Sequence, residues 1–393
     1  MNHIQLNRIQ EIITDAVSSQ YISGANCLIY QGGHEQGYWE AGMADRECGK
    51  KFSRDTICRL YSMSKPVTST AVMMLLEEGK IDLMDDVAKF IPEFGNPKYC
   101  SKDGRILSSA KPVTIQDLLN MTSGLTYGGS SNENEKQTTS LIQDVETDIN
   151  SENPVSTQEF VSRLGKIPLA FEPGTDYQYG LSADVLGAVV EKVSGMKLGD
   201  FFKTRIFSPM SMDDTGFYVP EEKQTRLAQV YEQVPHEKLT VYTTSYLGIE
   251  HNMNVPPAYE AGGAGLVSTI DDYMNFTRML LADGTFKGTH VIQSHTACFM
   301  RTAHLSTLLQ QSFEAKMPHL AGYTYANLLR IMTDPGRSRS FGAAGEYGWD
   351  GWLGTFMMVD PENDLAMVFF TQLTDSGMTT TVRRIKNVVY SAL

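Results

Sequence analysis

Residues 67–76 read "VTSTAVMMLL", ten positions that are apolar or small with no charge among them. The run is too short to cross a bilayer, which takes about 20 apolar residues. It is also apolar all round, unlike the one-sided pattern of a surface helix. A chain that carries it must wrap other elements around a buried helix. Pro66 is tolerated only in a first helical turn, so the helix starts at "SMSK", residues 62–65. Lys65 then stands at the root of a buried helix, where a lysine has no ordinary surface role. Burial disfavours its charged form. Ser62 lies three residues before it, which is the spacing of neighbours on one helical face. A helix start also stabilises developing negative charge. The pair therefore has what a serine nucleophile and its base require.

The spacing alone does not select this pair. "SSAK" at 108–111 and "SGMK" at 194–197 match it equally. Lys111 precedes Pro112, which pushes it out of helical geometry, among polar neighbours. Gly195 follows an apolar helical stretch and reads as its C-cap, so Lys197 falls in a turn. Both are read as structural.

The 393 residues suffice for two sub-domains, and a formal net charge of -13 makes nucleic acid an unsuitable partner. There is no basic-then-apolar leader, and no apolar run of spanning length, so no membrane partner is expected. Cys27, Cys48, Cys58, Cys100 and Cys298 are odd in number and widely spaced. That argues against a disulfide framework and fits a reducing cytoplasm. The histidines form no H-E-x-x-H pattern, and His290 and His295 are five apart, so no metal site is expected. Gly262-Gly263-Ala264-Gly265 lacks the strand-then-lysine context of a phosphate loop and is read as a structural turn. No G-x-S-x-G elbow is present, which argues against an α/β-hydrolase.

Two strand-like runs at 24–33 and 36–45 follow an N-terminal helix and predict a hairpin. The runs "GWLGTFMMVDP" and "DLAMVFFTQL", joined by a turn at 360–364, predict a second one before a final helix. The middle reads as mostly helical, with starts at Thr114 and Thr269 and a stop at Gly195. The fold class is therefore α/β (α+β). Residues 1–80 and 285–393 are expected to form a discontinuous α/β sub-domain and 81–284 a mainly helical one, with the active site at their interface. Residues 127–157 are polar and nearly core-free, a lid or a surface insertion that begins at Tyr127. This segment and 241–260 are expected to line a pocket.

The block "FSRDTICRLYSMSKPVTSTAVMMLLEEGKIDLMDDVAKFIPEF" closely resembles the serine β-lactamase-like superfamily. Within it the likeness is to the branch of class C β-lactamases, D,D-carboxypeptidases and family VIII carboxylesterases. It continues through "TIQDLLNMTSGLTYG", "FEPGTDYQYGLSADVLGAVVEKVSG", "GGAGLVSTIDDYMNFTRMLLADG" and "GWDGWLGTFMMVDPENDLAMVFFTQ", roughly residues 5–390. The resemblance implies the β-lactamase/transpeptidase-like fold, an antiparallel sheet flanked by helices. It places Ser62 and Lys65 on the family's Ser-x-x-Lys motif and Tyr179 on the tyrosine of its Tyr-x-Asn motif. Leu181 replaces the asparagine that contacts a substrate amide. Trp349-Asp350-Gly351, followed by Trp352, replaces the Lys-Thr-Gly motif and its carboxylate-binding lysine. These departures point away from penicillins and toward neutral, apolar acyl esters.

The expected machinery is Ser62, Lys65 and Tyr179, with backbone N–H groups of Ser62 and Trp352 as an oxyanion hole. Trp349, Asp350, Gly351, Trp352, Leu181 and Tyr127 are expected to contact substrate. The three glycines Gly348, Gly351 and Gly354 suggest close approach by a ligand. A small-molecule acyl ester is the expected partner and no cofactor is needed. A β-lactamase or D,D-peptidase-type amidase, an acyltransferase to a small alcohol, and a non-catalytic scaffold remain as alternatives.

Overall fold

The computed structural model describes residues 1–234 and 239–393. Helix α1 (Arg8–Ser18) puts Ile9, Ile13 and Ala16 on its buried face, as their spacing predicts. It leads into β1 (Gly24–Gln31) and β2 (His34–Asp45). Gly32 and Gly33, with φ of 62° and 81°, make the tight turn between them, which demands positive φ at both positions. After β3 (Lys50–Lys51) comes α2 (Ser64–Glu77), where every residue from Ser64 to Leu75 is buried.

Helix α3 (Glu133–Asp148) occupies the stretch read from sequence as nearly core-free, and this corrects that reading. Thr138, Leu141, Ile142 and Val145 are buried along one face, at helical spacing. Their stripe is short and is diluted by the polar residues around it. Helix α4 (Ser182–Ser194) crosses α2 and ends at Gly195, whose φ of 72° is the left-handed C-cap. Helix α5 (Ile270–Leu281) is capped by the Thr269 side chain, which accepts from the N–H of Asp272.

Five strands of the main sheet follow later, β4 (Tyr323–Ala326), β5 (Leu329–Met332), β6 (Tyr347–Asp350), β7 (Phe356–Asp360) and β8 (Leu365–Thr371), before α6 (Thr380–Ser391). The eight strands form one antiparallel sheet in the order β4-β5-β6-β7-β8-β1-β2-β3. The N-terminal hairpin is thus inserted beside β8, with Gln31 opposite Leu365 and Ala25 opposite Thr371.

Alternate residues of the strands enter two cores. Met358, Met367 and Phe369 pack with Ile9, Ile13, Ile385 and Val389 from α1 and α6. Met357, Val368 and Phe370 belong to the main core, which continues through Phe276 of α5 into α2 and α4. Both faces of the sheet are covered, which explains why its C-terminal strands read as unbroken apolar runs. Helix α5 lies on β8, β1 and β7 although its residues precede position 285. All five cysteines are unpaired. No described helix is long and apolar enough to cross a membrane.

Candidate active site

Ser62 sits in a single 3₁₀ turn, Tyr61–Met63, that runs directly into α2. Tyr61 has a φ of 45°, a left-handed conformation that is rare outside glycine and costs on the order of 1–3 kcal/mol. Surrounding hydrogen bonds hold the turn in place. The Leu60 N–H donates to the Leu266 carbonyl at 2.8 Å, and the Leu266 N–H donates to Ser64 Oγ at 3.0 Å. Thr355 Oγ donates to the Leu60 carbonyl at 3.0 Å.

That carbonyl explains Gly351. A Cβ there would lie 2.2 Å from the Leu60 oxygen and 2.3 Å from the Thr355 hydroxyl. Its glycine admits the Ser62 turn against the end of β6, and the approaching group is the protein's own backbone, not the ligand expected from sequence. Gly348 is close to the Met357 carbonyl of the neighbouring strand in the same way, at 2.2 Å from a Cβ. We expect Gly351→Ala to destabilise the fold by about 2–4 kcal/mol, through a clash with backbone that cannot rotate away. Denaturant melts check this; an unchanged midpoint would show that the two segments separate freely.

Lys65 is fully buried. Its Nζ lies 3.1 Å from Ser62 Oγ, 2.7 Å from the Tyr127 hydroxyl and 2.8 Å from the Gly263 carbonyl. Burial lowers its pKa to about 7, while the carboxylates of Asp184 and Asp350 pull the other way. Nζ donates to Ser62 Oγ, the Tyr127 hydroxyl and the Gly263 carbonyl; once neutral, the amine has a lone pair with which to accept the serine proton.

Two tyrosines flank the amine, with ring centroids 5.4 Å (Tyr127) and 4.8 Å (Tyr179) from Nζ. Burial raises both phenols well above the ordinary tyrosine range. The Tyr179 hydroxyl accepts from Trp349 Nε1 at 2.8 Å, so a residue of β6 orients it. Next to Trp349, Asp350 accepts from the buried Arg330 guanidinium at 2.8 Å. Burial raises the Asp350 carboxyl, against the pull of Arg330.

Ser62, Tyr127, Tyr179, Trp349, Asp350, Gly351 and Trp352 all line one cleft of ≈ 280 Å³. Leu181 does not. It is 1% exposed and packs in the main core at the start of α4, so the expectation that it contacts substrate is corrected. An apolar side chain in this place is drawn inward. From 127–157 only Tyr127 borders the cleft, and from 241–260 only Tyr246 and Leu247 do. Lys111 and Lys197, of the two rival motifs, are exposed.

Several residues around the site were not found from sequence. Gly263 was read as part of a turn, yet its carbonyl seats Lys65. Its N–H donates to Asp184 at 3.1 Å, and Tyr259 donates to the same carboxylate oxygen at 2.9 Å. A Cβ at Gly263 would fall 2.7 Å from the other Asp184 oxygen. The run of glycines was therefore a signal of close packing against α4. His319, from the 3₁₀ turn Pro318–Leu320, and the loop residues Asp375, Ser376 and Gly377 also line the cleft, with no motif to mark them.

The fold and the arrangement of this cleft define a class, the β-lactamase-like proteins. The family model described as beta-lactamase matches residues 9–389, and the chain belongs to that family. Protein Rv1367c of Mycobacterium tuberculosis is 31% identical over 377 residues, covering 94% of this chain and 90% of that protein. Esterase EstB of Burkholderia gladioli is 27% identical over 391 residues, covering 94% and 91%. Among solved structures, EstCE1, described as a hydrolase with promiscuous acyltransferase activity, superposes with a TM-score of 0.82 at 26% identity, over 98% of both chains.

Proposed function

We propose that the chain is a serine hydrolase of small carboxylic esters. The observation that carries this reading is the buried, charge-suppressed Lys65 amine 3.1 Å from Ser62 Oγ. In the proposed reaction, Ser62 Oγ attacks the ester carbonyl while Lys65 Nζ takes its proton. The carbonyl oxygen becomes an oxyanion held by the backbone N–H groups of Ser62 and Trp352. Each such donor typically lowers a barrier by about 3 kcal/mol. The alcohol leaves with a proton relayed through Lys65 and Tyr179, and an acyl-serine ester remains. Water, deprotonated by the same groups, cleaves it to a carboxylic acid and restores Ser62. Water is the sole co-substrate. Both tyrosines stay protonated at neutral pH, which supports Lys65 as the resting base.

The esterase name of EstB and the description of EstCE1 support an ester substrate. Loss of the amide-contacting asparagine at Leu181 and of the anion-binding lysine at Trp349 disfavours β-lactams. Transfer of the acyl group to an alcohol is a second reading, supported by the acyltransferase activity described for EstCE1. The test compares p-nitrophenyl butyrate with the chromogenic cephalosporin nitrocefin. Ester turnover is expected to dominate. Rapid nitrocefin turnover with negligible ester turnover would replace this reading with a β-lactamase.

A further inference from the structure

The cleft beside Ser62 is aromatic on one wall and acidic at its rim. Trp352 is the centre of the wall. Its ring lies 4.4 Å from that of Tyr246 and 4.9 Å from that of Tyr61. Tyr246 is 37% exposed, so it is an open face and not core. The Trp352 indole N–H donates to Asp375 Oδ1 at 2.9 Å, which fixes a carboxylate at the edge of the rings. Asp375 itself is exposed and has a φ of 52°.

The charged side chains that line the cleft have one sign. Among the described residues, no lysine or arginine lines the cleft, whereas Asp350 and Asp375 do. Arg330 is buried beneath and paired to Asp350, and Arg59, behind Tyr61, is buried with its guanidinium held by the His251 and Ala228 carbonyls. His319 lines the cleft, but burial lowers its pKa, so it adds no positive charge at neutral pH. The chain as a whole carries a formal charge of -13.

A purely apolar acyl chain would gain from the rings but would cover a carboxylate and leave it without a counter-charge. An ammonium group gains from both, because ring faces attract cations and the carboxylate pairs with one. We propose that this cleft selects esters bearing a quaternary or protonated ammonium group, seated on Trp352 and Tyr246 with Asp375 beside it. The proposal rests on the ester-hydrolase reading and replaces the sequence-based expectation of neutral, apolar substrates with a cationic one.

The test uses two isosteric esters that differ in charge alone, choline butyrate and 3,3-dimethylbutyl butyrate, followed by pH-stat. The charged ester is expected to have a roughly tenfold higher kcat/KM. Added salt should shrink that ratio, since Asp375 is exposed. Asp375→Asn should shrink it as well. Equal or better turnover of the neutral isostere overturns the proposal. So does turnover of p-nitrophenyl butyrate with neither of these esters cleaved, a result that leaves the hydrolase reading intact. If no ester is cleaved and a fluorophosphonate fails to label Ser62, the hydrolase reading falls. Tryptophan fluorescence then decides the cation pocket separately. Quenching by tetramethylammonium chloride beyond that by sodium chloride at equal ionic strength supports it, and identical traces overturn it.

Discussion

Ser62→Ala is expected to lose ester turnover by on the order of 10⁴-fold or more, since removing a nucleophile leaves only binding and oxyanion stabilisation. It should also stop reacting with a fluorophosphonate. The hydroxyl is not a structural prop: the turn is held by Leu60, Ser64 and Thr355, whose bonds do not involve Ser62 Oγ. The variant should therefore melt close to the parent. Unchanged p-nitrophenyl butyrate hydrolysis in a folded Ser62→Ala protein would remove Ser62 from the mechanism.

Lys65→Met is expected to lose about 10³-fold, the usual range for a general base. Its pH behaviour is more telling. A lysine that titrates at about 7 in the fold, against about 10.4 in an unfolded chain, is a working base only above pH 7. kcat/KM of the parent should climb tenfold per pH unit up to about 7 and then level, and the residual activity of Lys65→Met should lack this rise. Stability moves with the same group. Between pH 7 and 10 the unfolded chain holds a proton that the folded one does not, so folding becomes more favourable as pH rises through this window. Below 7 the penalty is fully present. The stability of Lys65→Met relative to the parent should accordingly be greatest at or below pH 7 and diminish toward pH 10. Denaturant melts at both ends of that range check the sign; a difference independent of pH would mean that Lys65 is not desolvated.

The parts of this site legible in the sequence are those written locally. Pro66 and the apolar helix behind it mark Lys65 as buried, and the two hairpins and the final helix follow from period-two and helical patterns. What escaped depends on segments far apart meeting. The Tyr127 hydroxyl and the Gly263 carbonyl reach the same amine from positions 62 and 198 residues away along the chain. Gly351 shows the limit from the other side. Its glycine was a true sign of crowding, but sequence does not say whether a ligand or the Leu60 carbonyl is the neighbour. Leu181 was placed by alignment to a motif, and alignment fixes a backbone position without fixing which way a leucine turns. The helix at Glu133–Asp148 was missed because five buried positions, two of them polar, are a faint stripe among many polar ones.

The pairing of β1 with β8 has a consequence for how the protein is made. The hairpin at 24–45 leaves the ribosome early, yet the strand it lies against is translated more than 300 residues later. Until then Ala25 to Gln31 present an unpaired apolar edge, the kind of edge that invites pairing with other chains. The Ser62 turn waits too, because Thr355, which grips Leu60, and Gly351, which makes room for it, arrive in the same late stretch. Chains stalled before about residue 371 therefore expose a sticky edge beside an incompletely supported site, so ester turnover in a translation reaction should report only chains that extend past it.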